Sequence, residues 1–163
     1  MKTRFSILLF ILALNSSKAQ DVFITRPYLQ IGQNPSPQSL ELLWHAADLD
    51  ANWQVEHRNT IKDPWVRSLP AIFTRVAVTG IEAHRVYHAA LTGLVPGSIF
   101  SYRILKEGKT VFISEAQASK TPDQPYRFVA MGDIGAETTD QKKLALQAWL
   151  QKPDFLEIGR AHV

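Results

Sequence analysis

The chain contains no cysteine in its 163 residues. That absence excludes a disulfide framework, a thiolate metal site, a cysteine nucleophile and a lipid-anchored N-terminal cysteine. Long apolar runs are equally scarce. The most prominent, Phe5 to Leu14, has ten residues, against the roughly 20 that a membrane-spanning helix needs. Lys2 and Arg4 precede it and Ser17-Lys18-Ala19 follows it, which is the layout of a signal peptide. Residues 1–19 are therefore expected to be cut off between Ala19 and Gln20, giving a secreted or periplasmic protein with no stable membrane span. A basic excess is missing too once the leader is set aside. The leader carries three of the 18 basic residues, leaving 15 Lys and Arg against 15 Asp and Glu. A neutral chain without a Lys/Arg cluster lacks the electrostatic footprint of a nucleic-acid binder.

What is there is alternation. From Phe23 to about Ala118 the chain reads as seven short strands separated by turn residues: FITRPYLQIG, SLELLWHA, WQVEHR, IFTRVAVTG, HRVYHAALTG, IFSYRILKEG and TVFISEAQA. In SLELLWHA, Leu40, Leu42 and Trp44 share one face, and Glu41 and Leu43 take the other. In WQVEHR, Trp53, Val55 and His57 oppose Gln54, Glu56 and Arg58. Gly108 predicts a hairpin turn. Strands at this spacing, with no helix between them, predict an all-β sandwich over residues 20–120. LTGLVPGSIFSYRI resembles the turn into the sixth strand of an immunoglobulin or fibronectin type III-like sandwich, where an aromatic residue after a Leu-x-Pro turn pins the corner. Phe100 stands nearest that place and lacks a hydroxyl; Tyr102, two residues on along the same face, has one. These aromatic residues are expected to be core.

The pattern changes after SKTPDQP. Residues 121–125 are polar with two prolines, which suits a linker. YRFVAMGDIG then reads as a buried strand, Phe128 to Met131, running into Gly132-Asp133-Ile134-Gly135. TTDQKKLALQAWLQ reads as a helix capped by Thr138 or Thr139, with Leu144, Leu146, Ala148, Trp149 and Leu150 including an apolar face. KPDFL opens another strand. Strand, loop, helix, strand is the first β-α-β segment of an α/β domain, expected over residues 126–156. Asp133 falls at the C-terminal edge of its strand, where α/β sheets bind ligands. Flanking glycines free the backbone to turn and leave the carboxylate open to a metal ion or phosphate. Its hard oxygens suit Fe(III), Mn(II), Mg(II) or Zn(II). By itself, an Asp-x-Gly loop is more often a turn.

In order, a leader, a sandwich opening on RPYLQ, the LTGLVPGSIFSYRI corner, a short linker and FVAMGDIG resemble the N-terminal half of a purple acid phosphatase-type metallophosphoesterase. The resemblance runs from about Ile24 to Leu156. It implies an accessory fibronectin III-like sandwich, followed by the truncated start of a calcineurin-like metallophosphoesterase domain. It implies a hydrolase acting on phosphate-ester substrates through a dinuclear metal centre, iron with iron, zinc or manganese, that activates a bound water. On the Gly-Asp-x-Gly match it makes Asp133 a ligand of the first metal. The family's other ligands stand in later motifs, Gly-Asp-x-x-Tyr, Gly-Asn-His-Glu or -Asp, and Gly-His-x-His, none of which occurs in this sequence. His45, His57, His84 and His88 lie in the sandwich region without ligand spacing, and His162 follows Ala161 rather than a glycine. The fragment alone is expected to be inactive and not to hold the full centre. The competing expectation is a secreted fibronectin III-like binding or adhesion module without catalysis. A nucleotide-binding domain is disfavoured, because FVAMGDIG lacks Gly-x-Gly-x-x-Gly.

The last residues depart from the strand that KPDFL opens. In frame, ATC GGA AGA GCA CAC GTC TGA, the opening of a common short-read sequencing adapter, encodes Ile-Gly-Arg-Ala-His-Val and a stop. Those are Ile158 to Val163. Residues 157–163 are expected to be adapter-derived, with native coding sequence ending near Leu156. The run after Leu156 should break the strand pattern.

Overall fold

A computed structural model describes residues 22–132 and 138–159. Eight strands come first: β1 (Thr25–Gln30), β2 (Ser39–Ala47), β3 (Trp53–Arg58), β4 (Val66–Arg67), β5 (Ile72–Val76), β6 (His84–Thr92), β7 (Ile99–Lys106) and β8 (Lys109–Gln117). They form two four-stranded antiparallel sheets, ordered β1-β2-β6-β5 and β4-β3-β7-β8. In β2 and β3 the alternation in the sequence is the burial found. Leu40, Leu42, Trp44 and Ala46 point inward from β2, and Trp53, Val55 and His57 from β3. Trp44 stacks on Tyr87 of its own sheet at 5.3 Å and meets Trp53 of the facing sheet at 5.6 Å. One core therefore joins the two sheets into a β-sandwich. β4 lies outside the seven expected runs, since two residues are too few for a period-two signal.

One turn closes a hairpin within a sheet and another crosses from one sheet to the other. Glu107 and Gly108 both have positive φ, 49° and 74°, the two-residue hairpin geometry whose twist suits antiparallel strands. At the Leu-x-Pro corner, Phe100 is buried and Tyr102 hydrogen-bonds to Ser114 on the neighbouring strand. Nearby carbonyls are taken from the β3 side instead. His57 Nε2–H donates to Thr92 O at 2.9 Å and Asn59 Nδ2 to Gly93 O at 3.1 Å, while Asn59 Oδ1 accepts from the Val95 N–H at 3.3 Å. The corner is held by polar side chains rather than by an aromatic hydroxyl.

Beyond the sandwich, residues 121–125 close a turn: the Gln124 N–H donates to Thr121 O, and the Thr121 N–H to Gln124 Oε1, both at 3.0 Å. Then come β9 (Phe128–Gly132), α1 (Thr139–Leu150) and β10 (Phe155–Gly159), with β9 and β10 parallel. Thr138 caps α1, its side chain accepting from the Gln141 N–H at 3.2 Å. Of the helix's apolar residues only Ala148 is buried; Leu144, Leu146, Trp149 and Leu150 are exposed. β10 does not break at Leu156. Glu157 pairs with Ala130, Ile158 with Met131 and Gly159 with Gly132, because a parallel ladder is built from backbone groups that any of these residues supplies. No helix among the described residues is long and apolar enough to cross a membrane.

Candidate metal-ligating loop and the polar clusters

Asp133, with Ile134 and Gly135, lies outside the described residues. Its frame is described. β9 ends at Gly132, and Thr138 caps the start of α1. The described chain thus stops at the C-terminal end of a parallel strand and resumes at a helix N-terminus, and the C-terminal edge of such strands is where α/β sheets bind ligands. A Cβ on Gly132 would meet nothing within 4 Å, and its φ is not left-handed. Neither packing nor a sharp turn demands glycine there; its lack of a side chain leaves the strand end uncovered.

The opposite end of the same two strands is clamped. Asp154 accepts from Lys120 Nζ at 2.7 Å and from the Arg127 N–H at 2.7 Å, and its own N–H donates to Arg127 O at 2.7 Å. The Lys120 ammonium, with help from the Arg127 N–H, holds the Asp154 carboxyl below the usual carboxylate range. Lys120 also donates to Pro125 O at 3.1 Å, and the Tyr126 hydroxyl donates to Lys120 O. This cluster positions the strands and stands away from the ligand edge.

The sandwich histidines do not converge. His45 and His84 stack at 5.2 Å on the outer face of their sheet, and burial with the neighbouring His84 lowers the pKa of His45. His88 Nδ1 lies 3.5 Å from Glu41 Oε2. His57 is buried on the inner face. Among the described residues, no three His, Asp or Glu side chains are grouped to hold a metal ion.

One feature escaped the sequence reading. A cleft of about 570 Å³ at the sandwich edge is lined in part by Asp50, Trp53, Phe73, Arg85, Tyr87 and Glu107. Arg85 binds Asp48 at 3.0 Å and Asp50 at 2.8 Å, and lies over the Phe73 ring at 4.4 Å. The Tyr87 hydroxyl first, then Asp50 and Asp48, push the Arg85 pKa further up. Asp48 also binds Arg75, and Arg75 and Arg85 together hold its carboxyl below the usual range. The sequence sign was the Asp48-Leu49-Asp50 turn, but its arginines lie 27 and 37 residues away. No family model matches the chain, and no curated protein matches it in sequence.

Proposed function

We propose that this chain is the N-terminal part of an exported metal-dependent phosphatase of the purple acid phosphatase type, acting on phosphate esters. What supports the reading is the sequence position of Asp133. It comes directly after Gly132, the last residue of the parallel strand β9, and five residues before Thr138, the cap of α1. From that edge a carboxylate reaches ligands bound outside the sheet. The strand order adds support, since β1-β2-β6-β5 facing β3-β7-β8 is an immunoglobulin-type arrangement, as an accessory sandwich of that family would require. The donor set limits what the chain does alone. A two-metal centre needs several ligands on each ion, and this chain offers Asp133 while the described histidines stay within the sandwich. One carboxylate does not fit a dinuclear site, so the missing ligands belong to the continuation of the α/β domain.

The purified chain should therefore turn over no p-nitrophenyl phosphate with iron, zinc or manganese added; metal-dependent turnover would overturn the incomplete centre. Genomic DNA read past the Leu156 codon should encode Gly-Asp-x-x-Tyr and then Gly-Asn-His. A frame without those motifs sinks the phosphatase assignment. That outcome would favour the second reading, a secreted binding module without catalysis, which the cleft beside Phe73 supports.

A further inference from the structure

Strand β5 closes one edge of its sheet and pairs with β6 alone. Among the described residues, the backbone of 72–76 bonds to no other segment's backbone. Ile72 and Phe73 on this edge are 58% and 47% exposed, and Leu69 just before it is 73% exposed. Edge strands are usually blunted by lysine, proline, a bulge or a covering segment. β5 contains no lysine or proline and pairs with β6 without a register shift, and its one charge, Arg75, is neutralised on Asp48. Such an edge is a template for one more strand.

The residues of β5 say which strand fits. Ile72, Thr74 and Val76 lie opposite His88, Val86 and His84 on the outer face, while Phe73 and Arg75 lie opposite Tyr87 and Arg85 on the inner face. Set antiparallel to itself about Thr74, the strand IFTRV is self-complementary. Ile72 faces Val76 of the second copy, Phe73 faces its Arg75, and Thr74 faces its Thr74. Apolar β-branched, guanidinium-aromatic and Thr–Thr pairs are all favourable across strands. Neighbouring registers are worse. Centring on Arg75 opposes two guanidinium groups, and centring on Phe73 sets Val76 against Pro70, which has no N–H to give. We propose that two copies of this chain associate about a two-fold axis through Thr74, joining their β5 edges into one continuous eight-stranded sheet. Arg75, with a side chain 56% exposed over Asp48, is placed to cover the second copy's Phe73.

The absence of cysteine makes the register directly readable. Directly opposed residues of antiparallel strands stand about 4.5–5.5 Å apart at Cα, within the span that a disulfide bridges. Under mild oxidation, the full chain carrying Thr74→Cys should form a covalent dimer on a non-reducing gel. Ile72→Cys and Val76→Cys should each form no covalent dimer alone and should cross-link when mixed. Sedimentation of the unmodified chain should show a dimer. Thr74→Lys, which opposes two ammonium groups at the axis, should weaken association at least tenfold while leaving the circular dichroism spectrum unchanged. A monomer at all concentrations, a Thr74→Cys chain that cross-links no better than Ile72→Cys, or a dimer indifferent to Thr74→Lys would each overturn the proposal. The last result would place self-association on the exposed residues of β9, α1 and β10 instead.

Discussion

His57 carries a single bond that joins the two sheets. It is 5% exposed, its Nε2–H donates to Thr92 O at 2.9 Å, and its Nδ1 has no partner among the described residues. A ring so placed is held neutral: burial pushes its pKa below the ordinary 6.5, and the Thr92 bond offsets only part of that. In the unfolded chain the same ring takes up a proton near 6.5. Between the lowered folded value and 6.5 the unfolded state holds more protons, so stability rises with pH. The contribution is whole above about pH 6.5 and is lost progressively as the pH falls from there through the lowered folded value. His45, lowered by burial and by His84, acts in the same direction. The urea midpoint of the chain should be higher at about pH 7.5 than at about pH 5.5. His57→Gln keeps a donor and does not titrate, so it should shrink that difference without removing it. An unchanged difference would take His57 out of the account. His57→Leu should cost about 1–3 kcal/mol by leaving Thr92 O unpaired. The inward face of His57 was legible in WQVEHR. Its partner was not, because a bond between sheets to a residue 35 positions on has no period.

Elements that alternate were legible, and elements held by single polar contacts were not. β2, β3 and β6 carry period-two burial that follows from residue type alone, whereas β7 buries Ser101 and Leu105 as well as Phe100, Tyr102 and Ile104. The cap of α1 at Thr138 was likewise one of two readable choices. By contrast, the tie between residues 120–127 and the start of β10 depends on Asp154, which reads as an ordinary Pro-Asp turn. Its carboxylate replaces two contacts a linker would otherwise give to water, the Lys120 ammonium and the Arg127 N–H. Hydrogen bonds to a charged group are worth about 1.5–3 kcal/mol. Asp154→Ala should therefore speed hydrogen exchange at the Arg127 amide by roughly ten- to a hundredfold. Amides of β2 and β6 should keep their rates, since no described contact of Asp154 reaches them. Equal acceleration in the sandwich would mean that the clamp supports the whole fold rather than one junction.

The molecule as a whole joins a closed core to an open layer. In the sandwich, Leu42, Trp44, Leu91, Phe100 and Ile104 are essentially out of water, and β2, β6, β3 and β7 each have a strand on both sides. In the second unit, Phe128, Phe155, Leu156 and Ile158 of the strands and Trp149 and Leu150 of the helix remain exposed. Phe128 and Phe155 stack at 5.5 Å, yet a parallel sheet is ordinarily covered on both faces, and two strands alone are marginal in water. The sequence pattern placed Asp133 at a strand end because strand and helix periods bracket it. It offers no second ligand beside Asp133, and among the described residues no three His, Asp or Glu side chains are grouped to hold a metal ion. Local stability should follow the same division. Apolar area removed from water sets opening free energy, so the amides of β9, α1 and β10 should exchange through openings well below the global unfolding free energy. Those of β2, β6 and β7 should exchange only near the global limit. The ordering should persist in Thr74→Lys, which leaves the second unit untouched. Protection of β9 and β10 equal to that of β2 and β6 would show that the exposed layer is already covered in solution, and the two-part energetics would then be wrong.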